Sequence, residues 1–139
     1  MRFQPHLKKN INFLLAMTGL LAAYFIGVSF WNNSDGGVTT YEEYLQAIKE
    51  PYELLYKNLQ ALPENPTAEE VYQIYDQFEE DLHHIKIAYN ADRTVEENYN
   101  ELLALPNTFR QDYKHSAYKY STLIGQKSHV KMILDYIRK

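Results

Sequence analysis

The residues best placed to do chemistry stand in one short run, EDLHH, from Glu80 to His84. Glu80 and His83 make an E-x-x-H pair, and Asp81 and His84 repeat the spacing one residue on. Asp112 and His115 give a further acid–imidazole pair at the same separation. Carboxylates and imidazoles at i and i+3 on facing helices are how bundle di-iron centres are built. Such a centre also needs two more glutamate-bearing helices, and the pattern lacks them. The apolar repeat around the run passes through Phe78, Leu82 and Ile85. At about 100° per residue, Glu80 then lies opposite that repeat and His83 well off it. These pairs are expected to face water, or a second packing surface that includes Ile87, and the expectation for metal, cofactor and catalytic residues is none.

Other chemistries find little footing. Of the five glycines, Gly19 and Gly27 lie in a long apolar stretch, Gly36 and Gly37 follow it, and Gly125 stands alone. A phosphate-cradling loop or a nucleophile elbow has no place to form. The chain has no cysteine, so neither a disulfide nor a thiolate site exists. The net charge of -4 argues against nucleic acid as a partner. The function expected is binding, not catalysis.

Three tetrads mark where helices should begin: TYEE at Thr40, TAEE at Thr67 and TVEE at Thr94. Each fits the capping box, in which Thr accepts from the N–H three residues on and Glu reaches back. After the first, Tyr41, Leu45, Ile48, Tyr52, Leu55, Leu59 and Leu62 recur in alternating steps of four and three. After the second, Val71, Tyr75, Phe78, Leu82, Ile85 and Tyr89 do the same. Both are heptad seams, and LPENP from Leu62 to Pro66 is a tight turn between them. An antiparallel hairpin of two helices of about 23 residues each follows. Pro51 should kink or restart the first helix. A short helix is expected next, with Val95, Tyr99 and Leu102 on one face, ended by Pro106. A last helix should run from Asn107 or Thr108 to about Arg138. Its apolar positions are Phe109, Tyr113, Ala117, Tyr120 and Ile124, then, after a slip at Gly125, Leu123, Val130, Leu134 and Ile137.

From Phe13 to Trp31 no residue is charged. Nineteen residues of helix span roughly 28 Å, close to the hydrocarbon core of a bilayer. A signal-peptide core is shorter, about 7–15 residues, and a small-x-small cleavage site is poor here, so the stretch is expected to remain as an anchor. Arg2, Lys8 and Lys9 precede it with no acid among them, which predicts the N-terminus inside and the C-terminus outside. Gly19, Ala23 and Gly27 fall one above another on that helix, a stripe that admits close approach of a second transmembrane helix.

Charge is unevenly placed in the rest. Thr40 to Glu101 holds fifteen acids against four Lys and Arg, and Leu102 to Lys139 holds two acids against seven. The basic last helix should pack on the acidic hairpin. Twelve of thirteen tyrosines lie outside the apolar stretch. Tyr44, Tyr56, Tyr72, Tyr118 and Tyr136 fall nearer the flanks of the seams, and of these Tyr44, Tyr56 and Tyr72 are the expected protein-binding face.

The expected organisation is a basic cytoplasmic tail (1–10), a transmembrane signal-anchor (11–31), a polar tether (32–39) and an extracytoplasmic all-α bundle (40–139) of three long helices and one short. The expected function is a non-enzymatic accessory or interaction subunit in the cell membrane. Its partners would be the bilayer and another transmembrane or envelope protein, or a second copy. The alternative is a tethered capture, sensor or immunity-type module for a soluble ligand or toxin.

Overall fold

The computed structural model describes residues 36–139. The expected tail, the signal-anchor with Gly19, Ala23 and Gly27, and the first residues of the tether lie outside the described residues. The described chain is all-α: α1 (Tyr41–Ala61), α2 (Ala68–His83), α3 (Arg93–His115) and α4 (Lys119–Ile137). No helix among the described residues is long and apolar enough to cross a membrane. Short connections join consecutive helices into an up-down-up-down bundle. The core is closed by Leu55, Leu59, Val71, Tyr75, Phe78, Leu82, Val95, Val130 and Leu134.

Two of the three capping boxes form. The Thr40 and Thr67 hydroxyls each accept from the N–H three residues on, at 3.2 Å. Glu43 and Glu70 answer by accepting from the Thr40 and Thr67 N–H groups at 3.2 and 2.7 Å. The third tetrad does not cap. The Asp92 N–H donates to the Thr39 carbonyl at 2.9 Å, and this tie starts α3 at Arg93, leaving Thr94 inside the helix.

The seams need widening. Each helix packs against two neighbours, so its buried stripe is broader than a two-helix seam. In α1 the stripe adds Tyr44, Pro51 and Asn58, and α1 runs unbroken through Pro51. In α2 it adds Ile74 and Asp81, contrary to the expectation that Asp81 faces water. The second helix also stops at His83, so Ile85 and Tyr89 leave the seam, and Tyr89 is 98% exposed.

α3 contradicts the expected stop at Pro106. One buried stripe runs Val95, Leu102, Pro106, Phe109 and Tyr113 through the proline. A helix-interior proline costs about 3 kcal/mol, but each apolar side chain buried on α2 returns about 1.5–3 kcal/mol. Three long helices and one short thus become four of 21, 16, 23 and 19 residues. The break falls instead at Ser116–Tyr118, without glycine or proline. The Lys119 ammonium donates to the carbonyls of Tyr113 and Lys114 and sits 5.0 Å from the Tyr113 ring centroid, closing the C-terminus of α3. Ser116 Oγ accepts from the Tyr118 N–H at 3.0 Å and from the Thr122 hydroxyl at 2.6 Å. Ala117, Tyr120 and Ile124, expected to be inward, are exposed, whereas Leu123, Val130, Leu134 and Ile137 are buried as expected. α4 continues straight past Gly125.

The end of the expected tether is pinned. The Val38 N–H donates to the Lys86 carbonyl at 2.8 Å, and the Ala88 N–H donates to the Val38 carbonyl at 2.9 Å. This bridge holds residues 37–39 against the α2–α3 connector. Gly37 adopts φ +71°, and a Cβ there would stand 2.8 Å from the Lys86 carbonyl oxygen.

Leu82 is fully buried and the adjacent His83 is exposed. Leu82→Ala should cost about 2–5 kcal/mol, and His83→Ala less than about 0.5 kcal/mol. Denaturant unfolding of the two variants measures the contrast.

Candidate functional site

The EDLHH run ends α2, and its members part company. Glu80, His83 and His84 are exposed, while Asp81 is 2% exposed. The His84 ring Nδ1 lies 2.8 Å from the Glu80 carbonyl oxygen. Asp112 and His115 are exposed on α3, and His115 lies 3.2 Å from the Gln111 side-chain oxygen. Among the described residues no group of three or more acids and histidines is arranged to hold a metal ion.

Asp81 lies on the buried stripe of α2 because it follows Phe78 by three residues and precedes Leu82. The Gln77 amide donates to its carboxylate at 2.7 Å. Burial disfavours the charged form and pushes Asp81 up to about 6. The Gln77 bond opposes the rise, and neighbouring Glu80 and Glu50 add to it.

The expected tyrosine face is dispersed. Tyr44 is 4% exposed, with its ring 5.9 Å from that of Tyr41. Burial raises its hydroxyl pKa well above the ordinary value. Tyr72 is half-buried and meets Tyr113 of α3 edge-on at 6.2 Å. Tyr56 is half-buried on α1. Other tyrosines tie the bundle together. The Tyr99 hydroxyl donates to the Leu82 carbonyl at 2.8 Å, where α2 ends. The Tyr75 hydroxyl donates to the side-chain oxygen of the buried Gln126, whose amide donates to the Phe109 carbonyl at 2.9 Å.

The open aromatic and apolar surface is on α4. Ile124, Met132 and Tyr136 are 44%, 61% and 54% exposed, and Tyr120 is 68% exposed. They follow one another at multiples of four residues, so they form a ridge along the outer side of the helix. Gly125 and Ser128 lie beside them, and the space where a Gly125 side chain would stand is empty. A shallow groove of about 460 Å³ runs along the C-terminal part of the ridge, between Ser128, Lys131, Met132, Asp135, Tyr136 and Lys139. Lys131 and Asp135 pair across one turn at 2.7 Å. Small residues beside large apolar ones admit a second helix or an extended segment. The sequence pattern assigned Tyr120 and Ile124 to the core and so missed this ridge. The four-residue spacing of Tyr120, Ile124, Ser128, Met132 and Tyr136 was the available signal. The chain matches no family model, no curated protein and no solved structure.

Asp81 yields a pH test with a definite sign. Its folded pKa of about 6 lies above the ordinary aspartate value of 3.8, so the folded state binds the proton more tightly. Stability from this group is present below about pH 4 and is lost as pH rises through about 6. Each pKa unit corresponds to about 1.4 kcal/mol, so the loss has a ceiling of about 3 kcal/mol. Asp81→Asn should raise the unfolding midpoint at pH 7.5 and change it little at pH 4. Thermal unfolding of both proteins across this range checks it.

Proposed function

We propose that this protein is a single-pass membrane protein whose extracytoplasmic helical bundle acts by binding, as an accessory or interaction subunit of a larger membrane or envelope complex. The reading is carried by the outer ridge of α4, where Ile124, Met132 and Tyr136 stand exposed on a structured helix. A monomeric soluble surface rarely exposes a contiguous apolar patch larger than a few hundred Å², and apolar ridges of this kind recur at interaction sites. The uncharged run from Phe13 to Trp31 supports the anchor, and Gly19, Ala23 and Gly27 give it a close-packing stripe. The partner is another transmembrane or envelope polypeptide, or a second copy of this chain. The basic residues before the run support an N-terminus in the cytoplasm. The exposed ridge replaces Tyr44 in the expected binding face.

A photo-reactive residue at Met132, in native membranes, should give a discrete adduct with one membrane polypeptide or with a second copy. The same residue at Gln73, exposed on α2, should not. Gly19→Leu with Gly27→Leu should weaken the Met132 adduct without changing the melting temperature of the bundle. An adduct with a soluble protein instead would favour the capture reading, and equal diffuse labelling from both sites would remove the case for the ridge.

A further inference from the structure

One end of the bundle gathers the point where the chain enters, the α2–α3 connector and the last turn of α4. The Val38–Ile87 bridge joins the first two. Tyr136, near the end of α4, lies close to Tyr41 at the start of α1, and with burial it raises the Tyr41 hydroxyl above its ordinary pKa. At this end stands Tyr89, the most exposed large apolar side chain of the described residues at 98%. It is held rigidly. The Ala91 N–H donates to the Ala88 carbonyl at 3.1 Å, making a tight turn with Tyr89 at its first corner. The Ala88 and Asp92 N–H groups donate to Val38 and Thr39 at 2.9 Å each, so the turn is clipped to the incoming chain. Tyr136 is half-exposed at the same end.

The sequence states what lies within reach of these rings. The uncharged run ends at Trp31, five residues before Gly36, and five extended residues cover at most about 18 Å. We infer that this end of the bundle rests on the lipid surface, with Tyr89 seated at the headgroup level. The inference depends on the anchor reading above. Tyrosine suits that depth because its ring is apolar and its hydroxyl stays wet. Lys86, Arg93, Arg138 and Lys139 stand at this end among Glu42, Glu43, Asp92, Glu96, Glu97 and Asp135, so bases are not in excess and the ring carries the docking. Docking should then persist in zwitterionic lipid. It would also fix the orientation in which the α4 ridge is presented.

The chain has no cysteine, so one introduced thiol can carry an environment-sensitive fluorophore in the full-length protein, reconstituted in phosphatidylcholine vesicles. Asn90→Cys places it beside Tyr89, and Glu64→Cys places it in the α1–α2 turn at the other end. The label at 90 should emit to the blue of that at 64. It should be several-fold more quenched by lipid carrying a nitroxide near the headgroup, and several-fold less by aqueous iodide. Tyr89→Ser should shrink the contrast and leave the melting temperature unchanged. Equal iodide quenching at both sites, in protein that resists carbonate extraction, would overturn the docking and leave the anchor standing. Protein released by carbonate would overturn both.

Discussion

Gln126 decides which way α4 faces. That helix carries apolar residues on two sides: Leu123, Val130, Leu134 and Ile137 on one, and Tyr120, Ile124, Met132 and Tyr136 on the other. Apolar burial favours the first set, because the second also carries the Lys131–Asp135 pair, but large apolar side chains stand on both sides. The Gln126 amide is 5% exposed and satisfied on both sides, accepting from the Tyr75 hydroxyl of α2 and donating to the Phe109 carbonyl of α3. A buried hydroxyl left without a partner costs about 1–3 kcal/mol, so a rotation of α4 that withdraws Gln126 from Tyr75 is penalised. The outward set, and with it the exposed ridge, follows from that constraint. No buried side-chain nitrogen or oxygen among the described residues lacks a partner.

The uneven charge of the sequence is partly spent inside the bundle. Arg110 of α3 is 19% exposed and holds Asp76 at 2.8 Å and Glu79 at 2.5 Å, both on α2. Arg138, just past α4, reaches Glu53 of α1 at 3.2 Å. The second pair is open to solvent and contributes at most about 1 kcal/mol. The first is better shielded and fixes the lengthwise register of α2 against α3. Charge complementarity therefore aligns helices that apolar packing holds together, and Asp81 stands outside this scheme as a buried acid whose ionisation opposes folding at neutral pH.

Much of this was legible. The all-α class, the α1–α2 hairpin and the first two helix starts follow from heptad spacing and from side chains that reach only their own neighbours. What was illegible depended on distant partners. The tie between Asp92 and Thr39 moved the start of α3, and no local pattern encodes it. The Ser116–Tyr118 break has no glycine or proline, because Lys119 and Ser116 supply the missing hydrogen bonds. Pro106 was read by its local preference, although Leu102, Pro106 and Phe109 already shared a stripe. The exposed ridge was hidden for the reason that makes Gln126 decisive: α4 has large apolar residues on both sides, and a sequence pattern cannot say which side is in. Tyr44 was misplaced because α1 has two neighbours where a hairpin gives it one.

The bundle thus reads as a rigid holder for one exposed helix face, with its polar tie setting the angle of presentation. A double-mutant cycle between Tyr75→Phe and Gln126→Leu, by denaturant unfolding of the full-length protein in detergent micelles, tests that tie. Each single change strands a partner, whereas the double change leaves an apolar contact. The account predicts that the double variant is more stable than the sum of the single losses implies, with a coupling on the order of 1 kcal/mol. Losses that simply add would contradict it, and would mean that apolar packing alone chooses the face that α4 turns outward.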